Sequence, residues 1–184
     1  KKESNFLANF TKKNTKKSFY IWGDVGRGKT LITNEFIKKI TLEKGVFHYI
    51  DFMQDIHESL SKLPGKKNPI DRIAKSLNTK YRIIFIDEFQ VEDVADAMII
   101  GNLLNQLIQY GMLIFLTSNA HPDNLYKNGL QRQKFMNSMS TIKNSLNIYE
   151  LKGEKDYRTR NIYEINNDVV KSFTDNDILD LIKS

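Results

Sequence analysis

Short apolar runs alternate along the chain with segments whose apolar residues recur every three or four positions. The runs predict buried strands, because strands covered on both faces read as near-continuous apolar sequence. They lie at residues 18–22, 45–53 (where the strand continues into a helix), 82–89, 112–119 and 147–153. Strands of this kind alternating with helices predict an α/β fold, with a parallel sheet covered by helices on both faces.

The helical segments show the spacing of one buried face. Ile32, Phe36 and Ile40 follow Gly28 at intervals of four, and residues 93–108 carry two adjacent apolar rows. A further helix is predicted from Phe135, Met139, Ile142 and Leu146. Residues 62–69, KLPGKKNP, predict a loop by their proline, glycine and lysine content.

A glycine-rich stretch joins the first predicted strand to the first predicted helix. It matches G-x-x-x-x-G-K-[ST] in the strand-to-helix context that this motif requires. Its residues are Gly23, Asp24, Val25, Gly26, Arg27, Gly28, Lys29, Thr30 and, at the start of the helix, Leu31. Backbone N–H groups of such a loop form an anion nest at a helix N-terminus. We expect Lys29 to reach the β- and γ-phosphates of ATP and the Thr30 hydroxyl to bind Mg²⁺.

Two acids end the strand within residues 82–89. In a P-loop protein Asp87 is expected to hold the Mg²⁺. Glu88 is placed to polarise the attacking water as a general base, and an adjacent Asp-Glu pair distinguishes hydrolases from many small-molecule kinases. Without the glycine-rich loop, a solvated strand end would explain the pair better.

The strand within residues 112–119 ends in Thr117, Ser118 and Asn119. We expect this strand to lie between the strand before the glycine-rich loop and the Asp87 strand. From that position Asn119 could orient water against the γ-phosphate, as the residue called sensor 1 does in AAA+ ATPases. An asparagine at a loop entry is the ordinary alternative.

Composition narrows the class of protein. The 184 residues allow one sizeable core, and no cysteine is present, which excludes disulfides and thiolate metal sites. The net charge of +6 is compatible with nucleic acid or an acidic membrane as partner, but the lysines spread along the chain. One local cluster, Lys12, Lys13, Lys16 and Lys17, reads first as a solvated, basic lead-in over residues 1–17.

Four longer stretches carry a family resemblance. They are YIWGDVGRGKT, FIDEFQVEDVADAMIIGNLL, TSNAHPDNLYKNGLQRQKF and ELKGEKDYRTR, within residues 20–160. Through them the chain resembles the ZapE-type AAA+ ATPases of bacterial cell division and their mitochondrial relatives, the lactation-elevated ATPase group. One departure is Ile50, which stands where the family has a second histidine before Phe52.

The resemblance implies a P-loop NTPase of the ASCE/AAA+ type with five strands in the order 5-1-4-3-2. It implies an ATPase core over residues 18–152 and an abbreviated C-terminal lid over residues 153–184. Arg132 occupies the place of an arginine that acts on the neighbouring subunit's γ-phosphate, which requires a homo-oligomer. Arg158 is a candidate phosphate contact from the lid.

The resemblance also implies ATP and Mg²⁺ as ligands and a cytoplasmic bacterial setting. The implied work is cell division at the FtsZ ring, with peripheral contact at the inner membrane, or protein quality control. Two alternatives remain open at this point. One is an ATP-switched loader of nucleic-acid machinery, and the other is a nucleotide-gated scaffold that hydrolyses little ATP.

Overall fold

The computed structural model describes residues 18–151, and the fold within them is a five-stranded parallel sheet with helices on both faces. The strands are β1 (Ser18–Trp22), β2 (Lys44–His48), β3 (Ile83–Asp87), β4 (Leu113–Ser118) and β5 (Leu146–Glu150). The helices are α1 (Lys29–Lys39), α2 (Tyr49–Ser61), α3 (Pro69–Lys80), α4 (Val94–Gln109) and α5 (Arg132–Lys143), with a short 3₁₀ turn at Pro122–Asn124.

The strand order is β2-β3-β4-β1-β5, and every neighbouring pair is parallel. Read from the other edge it is 5-1-4-3-2, so the predicted order is confirmed. β4 pairs with β1 on one side and β3 on the other. The carboxyl ends of β1, β4 and β3 therefore lie side by side, and each leads into a segment that carries predicted site residues.

Alternation along the inner strands divides the core between the two faces of the sheet. Phe19, Ile21, Phe85 and Phe115 pack on one face against apolar residues of α1. Tyr20, Ile84, Ile86, Ile114 and Leu116 belong to the other face, where α2, α3, α4 and α5 contribute their buried residues. Burial of both faces explains why these strands are apolar throughout.

The helix ends follow from local sequence. Asp93 caps α4 by accepting a hydrogen bond from the Asp96 backbone N–H at 2.9 Å. Pro69 lies in the first turn of α3, where its missing N–H costs no helical hydrogen bond. α2 follows β2 without a connecting loop, as predicted for residues 45–53.

Two elements differ from the sequence expectation. α3 was not predicted, although Ile73 and Ala74 are buried and Ile70 and Leu77 pack beside them at helical spacing. Leu146 was assigned to the last helix but is the first residue of β5, paired with Ser18 of β1. Its side chain is buried in the same cluster as Phe135, so spacing alone did not separate the two elements.

Candidate functional site

The glycine-rich loop leaves β1 at Gly23 and enters α1 at Lys29, as the motif predicts. Gly28 precedes the helix with φ +83°, a left-handed conformation that residues with a Cβ rarely adopt. Gly23 has another reason to lack a side chain, because a Cβ there would lie 2.7 Å from the Leu151 carbonyl oxygen. The loop therefore needs its first and last motif glycines for separate steric reasons.

A pocket of about 320 Å³ opens above this loop. It is lined by Val25, Gly26, Arg27, Gly28, Lys29, Thr30, Leu31, Asp87, Glu88 and Asn119. Most of the predicted binding and catalytic residues thus meet in one cavity, although they come from three separate parts of the chain. Among the described residues, one cleft of about 500 Å³ lies between α2 and α3, and another of about 500 Å³ adjoins the site at Asn119, but neither includes the loop or the acid pair.

Lys29 is 9% exposed, and its ammonium group lies within the loop. Nζ donates hydrogen bonds to the carbonyl oxygens of Gly23 at 2.6 Å and Asp24 at 2.8 Å. Backbone oxygens thereby hold a desolvated positive charge at the floor of the pocket. Within the loop, Nη2 of Arg27 lies 3.6 Å from Oδ2 of Asp24 as an ion pair.

The carboxylate of Asp87 is held from two sides. The Thr30 hydroxyl donates to Oδ2 at 3.1 Å, and the Thr117 hydroxyl donates to Oδ1. Asp87 is 9% exposed, whereas Thr30 is exposed at the pocket wall. α1 and β3 thus bring together the two residues predicted to bind Mg²⁺.

These oxygen donors fit Mg²⁺. Mg²⁺ prefers hard oxygen ligands and in nucleotide sites is bound by one or two carboxylates together with phosphates. A cage made only of protein ligands is not expected, and within residues 18–151 no group of three or more His, Cys, Asp or Glu side chains could form one. Asp87 and Thr30 would hold the ion between the loop and β3.

Glu88 follows β3 with an exposed side chain on the pocket wall. Its φ of +56° is uncommon for a residue with a side chain. Three hydrogen bonds to β4 hold this turn: Glu88 N–H donates to the Thr117 hydroxyl at 3.1 Å, Phe89 N–H donates to the Thr117 carbonyl at 2.7 Å, and the Ser118 hydroxyl donates to the Phe89 carbonyl at 2.7 Å. The unusual backbone lets Asp87 face inward while Glu88 faces the pocket.

Asn119 lies one residue beyond β4, exposed and on the pocket wall with Asp87 and Glu88. The expected placement of its strand, between β1 and β3, is confirmed. Sequence reasoning named Thr117 only as part of this strand end and gave it no function. A threonine in a buried strand looks like an ordinary β-former, so its contacts with Asp87 and Glu88 were not visible in the sequence.

Arg132 is the first residue of α5 and does not line the pocket of its own chain. Its Nη2 donates to the Asp123 carbonyl oxygen at 2.6 Å, while the buried Nε–H has no hydrogen-bond partner within residues 18–151. Leu130, two residues earlier, is 74% exposed. Arg158, the basic lead-in and the predicted lid lie outside the described residues.

The surrounding aromatic residues belong to the core. Tyr20 is fully buried, and its hydroxyl donates to the Ala120 carbonyl at 2.8 Å. Burial raises the pKa of that hydroxyl. A hydrogen bond with Ser118 lowers it by a smaller amount, so the net change is upwards. Tyr20 therefore stays neutral and supports the strand ends.

Within the described part of the chain, none of the helices is long and apolar enough to cross a bilayer.

Known structures resemble this fold at low sequence identity. The crystal structure of DnaI superimposes with a TM-score of 0.56 and 20% identity, covering 85% of this chain and 83% of that one. The replication initiator DnaA, bound to AMPPCP and single-stranded DNA, gives a TM-score of 0.55 and 21% identity, covering 91% of this chain and 50% of that one. At these identities the likeness establishes the P-loop NTPase fold alone.

Curated relatives found by sequence share more identity with this chain than these known structures do. Cell division protein ZapE of Escherichia coli strain K12 is 37% identical over 153 residues, which cover 83% of this chain and 41% of ZapE. Lactation elevated protein 1 homolog B of Danio rerio is 37% identical over 154 residues, which cover 77% of this chain and 31% of that protein. The matched part of the chain thus covers less than half the length of these relatives.

The predicted resemblance to ZapE-type ATPases is confirmed by these relatives and by a family model. The model described as AFG1-like ATPase matches residues 2–175, nearly the whole chain. This chain belongs to the AFG1-like ATPase family.

Proposed function

We propose that this chain hydrolyses ATP in a Mg²⁺-dependent reaction at the pocket above the glycine-rich loop. One observation carries the proposal. A single cavity brings together a buried lysine at a helix N-terminus, a hydroxyl bonded to a carboxylate, an exposed glutamate and an asparagine. These are the groups needed to bind a triphosphate, hold its metal and direct a water molecule.

The glycine-rich loop and Lys29 would bind the phosphates of ATP. The helix N-terminus and the backbone N–H groups favour an anion, and the Lys29 ammonium adds a full positive charge. Because that charge is fixed by the Gly23 and Asp24 carbonyls, little reorganisation is needed when phosphate arrives. Thr30 and Asp87 would hold Mg²⁺, which when bound neutralises charge developing on the phosphate oxygens.

Hydrolysis requires a water molecule directed at the γ-phosphorus. Glu88 accepts a proton from this water as its oxygen bonds to phosphorus, while Asn119 orients it. The bond between the γ-phosphorus and the bridging oxygen breaks, and ADP leaves with the electron pair. Positioning and charge stabilisation supply most of the catalysis in phosphoryl transfer.

The proposal includes a second copy of the chain. Arg132 is partly exposed at the start of α5 and does not line its own pocket, and Leu130, two residues earlier, has an exposed side chain. A guanidinium group suits charge spread over phosphate oxygens. We infer that Arg132 acts on nucleotide held by a neighbouring copy, so that assembly completes the site.

The cellular role is proposed from the relatives' names. ZapE is named as a cell division protein. We propose that this chain couples ATP hydrolysis to bacterial cell division through the FtsZ ring or another division protein, in the cytoplasm or peripherally at the inner membrane.

Phosphate release by wild type and Glu88→Gln tests the enzymatic proposal. Loss of a general base lowers turnover by about 10²–10⁴-fold, while ATP binding is retained. Glu92→Gln is the matched control, because Glu92 is an exposed glutamate nearby that bonds Gln90. If wild type and Glu88→Gln bind ATP but release phosphate equally slowly, the chain is not a hydrolase of this kind.

A further inference from the structure

We propose that Thr117 is a positioning residue for the ATPase reaction, whose buried hydroxyl sets the metal-binding carboxylate of Asp87 and the backbone of Glu88 together. The inference rests on the proposed function of the pocket. It adds a residue that touches neither nucleotide nor water but determines where two residues that do so can lie.

The location of Thr117 makes this connection possible. β4 runs parallel to β3, and the register that pairs Leu116 with Ile86 brings Thr117 beside Asp87. On its other side β4 pairs Thr117 with Ile21 of β1. The side chain is completely buried, so water does not compete for its hydrogen bonds.

The directions of these hydrogen bonds follow from the groups involved. The backbone N–H of Glu88 can only donate, so the Thr117 oxygen, 3.1 Å away, accepts. A hydroxyl has one proton, and here that proton goes to Oδ1 of Asp87. The hydroxyl thus acts as a donor to Asp87 and as an acceptor from Glu88, two residues that are adjacent in sequence.

The carboxylate of Asp87 is fixed as a result. Thr117 donates to Oδ1 from β4, and Thr30 donates to Oδ2 from α1. With both oxygens bonded, rotation of the carboxylate would break at least one hydrogen bond. Thr117 therefore keeps Oδ2 directed towards Thr30, the other residue proposed to hold Mg²⁺.

The backbone of Glu88 depends on the same residue. Its φ of +56° is an unfavourable conformation that persists only where the surroundings hold it. Thr117 supplies two restraints, its hydroxyl to Glu88 N–H and its carbonyl to Phe89 N–H at 2.7 Å. Without the hydroxyl, Glu88 N–H loses its partner, so the backbone that places the Glu88 side chain on the pocket wall is held only through Phe89.

Thr117→Val tests the role, because valine keeps the shape and removes the hydroxyl. Thr117→Ser restores a hydroxyl without the methyl group. Thr33→Val is the matched control, since Thr33 is also buried and its hydroxyl donates to a carbonyl of its own helix, that of Lys29 at 3.0 Å. The probe is a fluorescent ATP analogue, titrated in EDTA and again with increasing Mg²⁺, followed by steady-state ATP turnover.

We expect all variants to bind the analogue equally in EDTA. With Thr117→Val, the Mg²⁺ concentration for half-maximal binding should rise about tenfold or more, as for other outer partners of metal ligands. At saturating Mg²⁺, kcat should fall about tenfold while KM for ATP changes little. Thr117→Ser should return both quantities close to wild type, and Thr33→Val should leave them unchanged.

Two results would overturn the inference while the proposed function stands. One is a normal Mg²⁺ dependence and kcat in Thr117→Val. The other is Thr117→Ser behaving like Thr117→Val, which would show that shape rather than the hydroxyl matters. If Thr117→Val does not fold, Thr117→Ala makes the same comparison with Thr117→Ser. Wild type that binds no nucleotide with Mg²⁺ would instead remove the proposed function itself, and this inference with it.

Discussion

The hydroxyl of Thr30 donates a hydrogen bond to Oδ2 of Asp87 across 3.1 Å, although 57 positions separate the two residues. Thr30 is the second residue of α1, directly after the glycine-rich loop, and Asp87 is the last residue of β3. Their contact joins the phosphate-binding and metal-binding parts of the motif, and it leads directly to the first prediction.

Thr30→Val should weaken Mg²⁺-dependent nucleotide binding without affecting metal-free binding. The substitution removes a proposed metal ligand and leaves Oδ2 of Asp87 without its hydroxyl donor. Loss of about 10–100-fold is expected in the Mg²⁺-dependent part of the affinity for ADP. Calorimetric titration of ADP, with Mg²⁺ and with EDTA, measures it. Thr141→Val is the control because Thr141 is exposed and bonds its own helix at Asn137.

The same titration can contradict the metal assignment. Equal loss of ADP affinity in EDTA and in Mg²⁺ would mean that Thr30 shapes the loop and does not bind the ion. An unchanged affinity under both conditions would remove Thr30 from the binding site altogether.

Arg132→Ala should be inactive alone and recover when mixed with a second inactive variant. In a mixture with Glu88→Gln, an Arg132→Ala copy keeps an intact Glu88 and can receive Arg132 from its neighbour. A trans-acting arginine contributes strongly to phosphoryl transfer, so the mixture should exceed the sum of the separate activities by at least about tenfold. Phosphate release at several protein concentrations measures this gain.

Arg82→Ala provides the comparison, since Arg82 is an exposed arginine before β3 and outside the pocket. It should retain wild-type activity and its concentration dependence. Strict additivity in the mixture of Arg132→Ala and Glu88→Gln would mean that Arg132 does not complete a neighbour's site.

Asp123 should contribute stability that disappears in acid. A hydrogen bond from Lys143, and then the charges of Lys143, His121 and Arg132, hold the pKa of the Asp123 carboxyl below its usual value, against the effect of partial burial. A lowered folded-state pKa means that the stabilisation is complete above the unfolded value of about 3.9 and is lost as the pH falls through the folded value.

Thermal unfolding of wild type and Asp123→Asn between pH 3 and pH 7 measures this contribution. The carboxylate is half exposed, so screening limits the gain to roughly 1 kcal/mol or less, a Tm difference of at most about 4 °C. The difference should be full at pH 6 and shrink below about pH 4. Lys143→Met should remove the same acid-sensitive part. A Tm difference that stays constant down to pH 3 would contradict the ion pair.

Gly129→Ala should destabilise the loop before α5 for a steric reason. An added Cβ would lie 1.9 Å from Cζ of Tyr126, whose ring is 7% exposed and packs edge-on against Phe135 with centroids 5.7 Å apart. The ring cannot move aside without disturbing the core, so a loss of about 1–3 kcal/mol is expected in the free energy of unfolding.

Urea unfolding measures this loss, with Asn128→Ala as the neighbouring exposed control. The control should change stability by less than about 0.5 kcal/mol. If Gly129→Ala is as stable as wild type, the Tyr126 ring does not occupy the space beside Gly129, and the loop that leads to Arg132 is less firmly held than its contacts indicate.

The sequence predicted the sheet and most of the pocket because both depend on local patterns. Each of three apolar strands is followed by a glycine-rich or polar segment. This pattern placed the glycine-rich loop, Asp87 and Asn119 at the carboxyl edge of the sheet. A parallel sheet leaves little choice about which edge that is, whereas the strand order that brings the three segments together was implied by the family resemblance.

What could not be predicted depends on contacts between distant residues or on weak local signals. α3 was missed because its apolar residues are few and follow a proline-containing loop. The role of Thr117 requires knowledge of its register against β3, and the Arg132 contact with the Asp123 carbonyl depends on how one turn folds back. Neither relationship leaves a periodic pattern in the sequence.

The strand order also separates two kinds of evolutionary freedom. Residues that would process nucleotide follow the three inner strands, whereas β2 and β5 form the edges of the sheet within residues 18–151. Val46 on the β2 border is 52% exposed. Substitutions on the exposed side of an edge strand such as β2 therefore lie apart from the strand ends that carry the pocket, so this edge can change in sequence without altering the pocket residues.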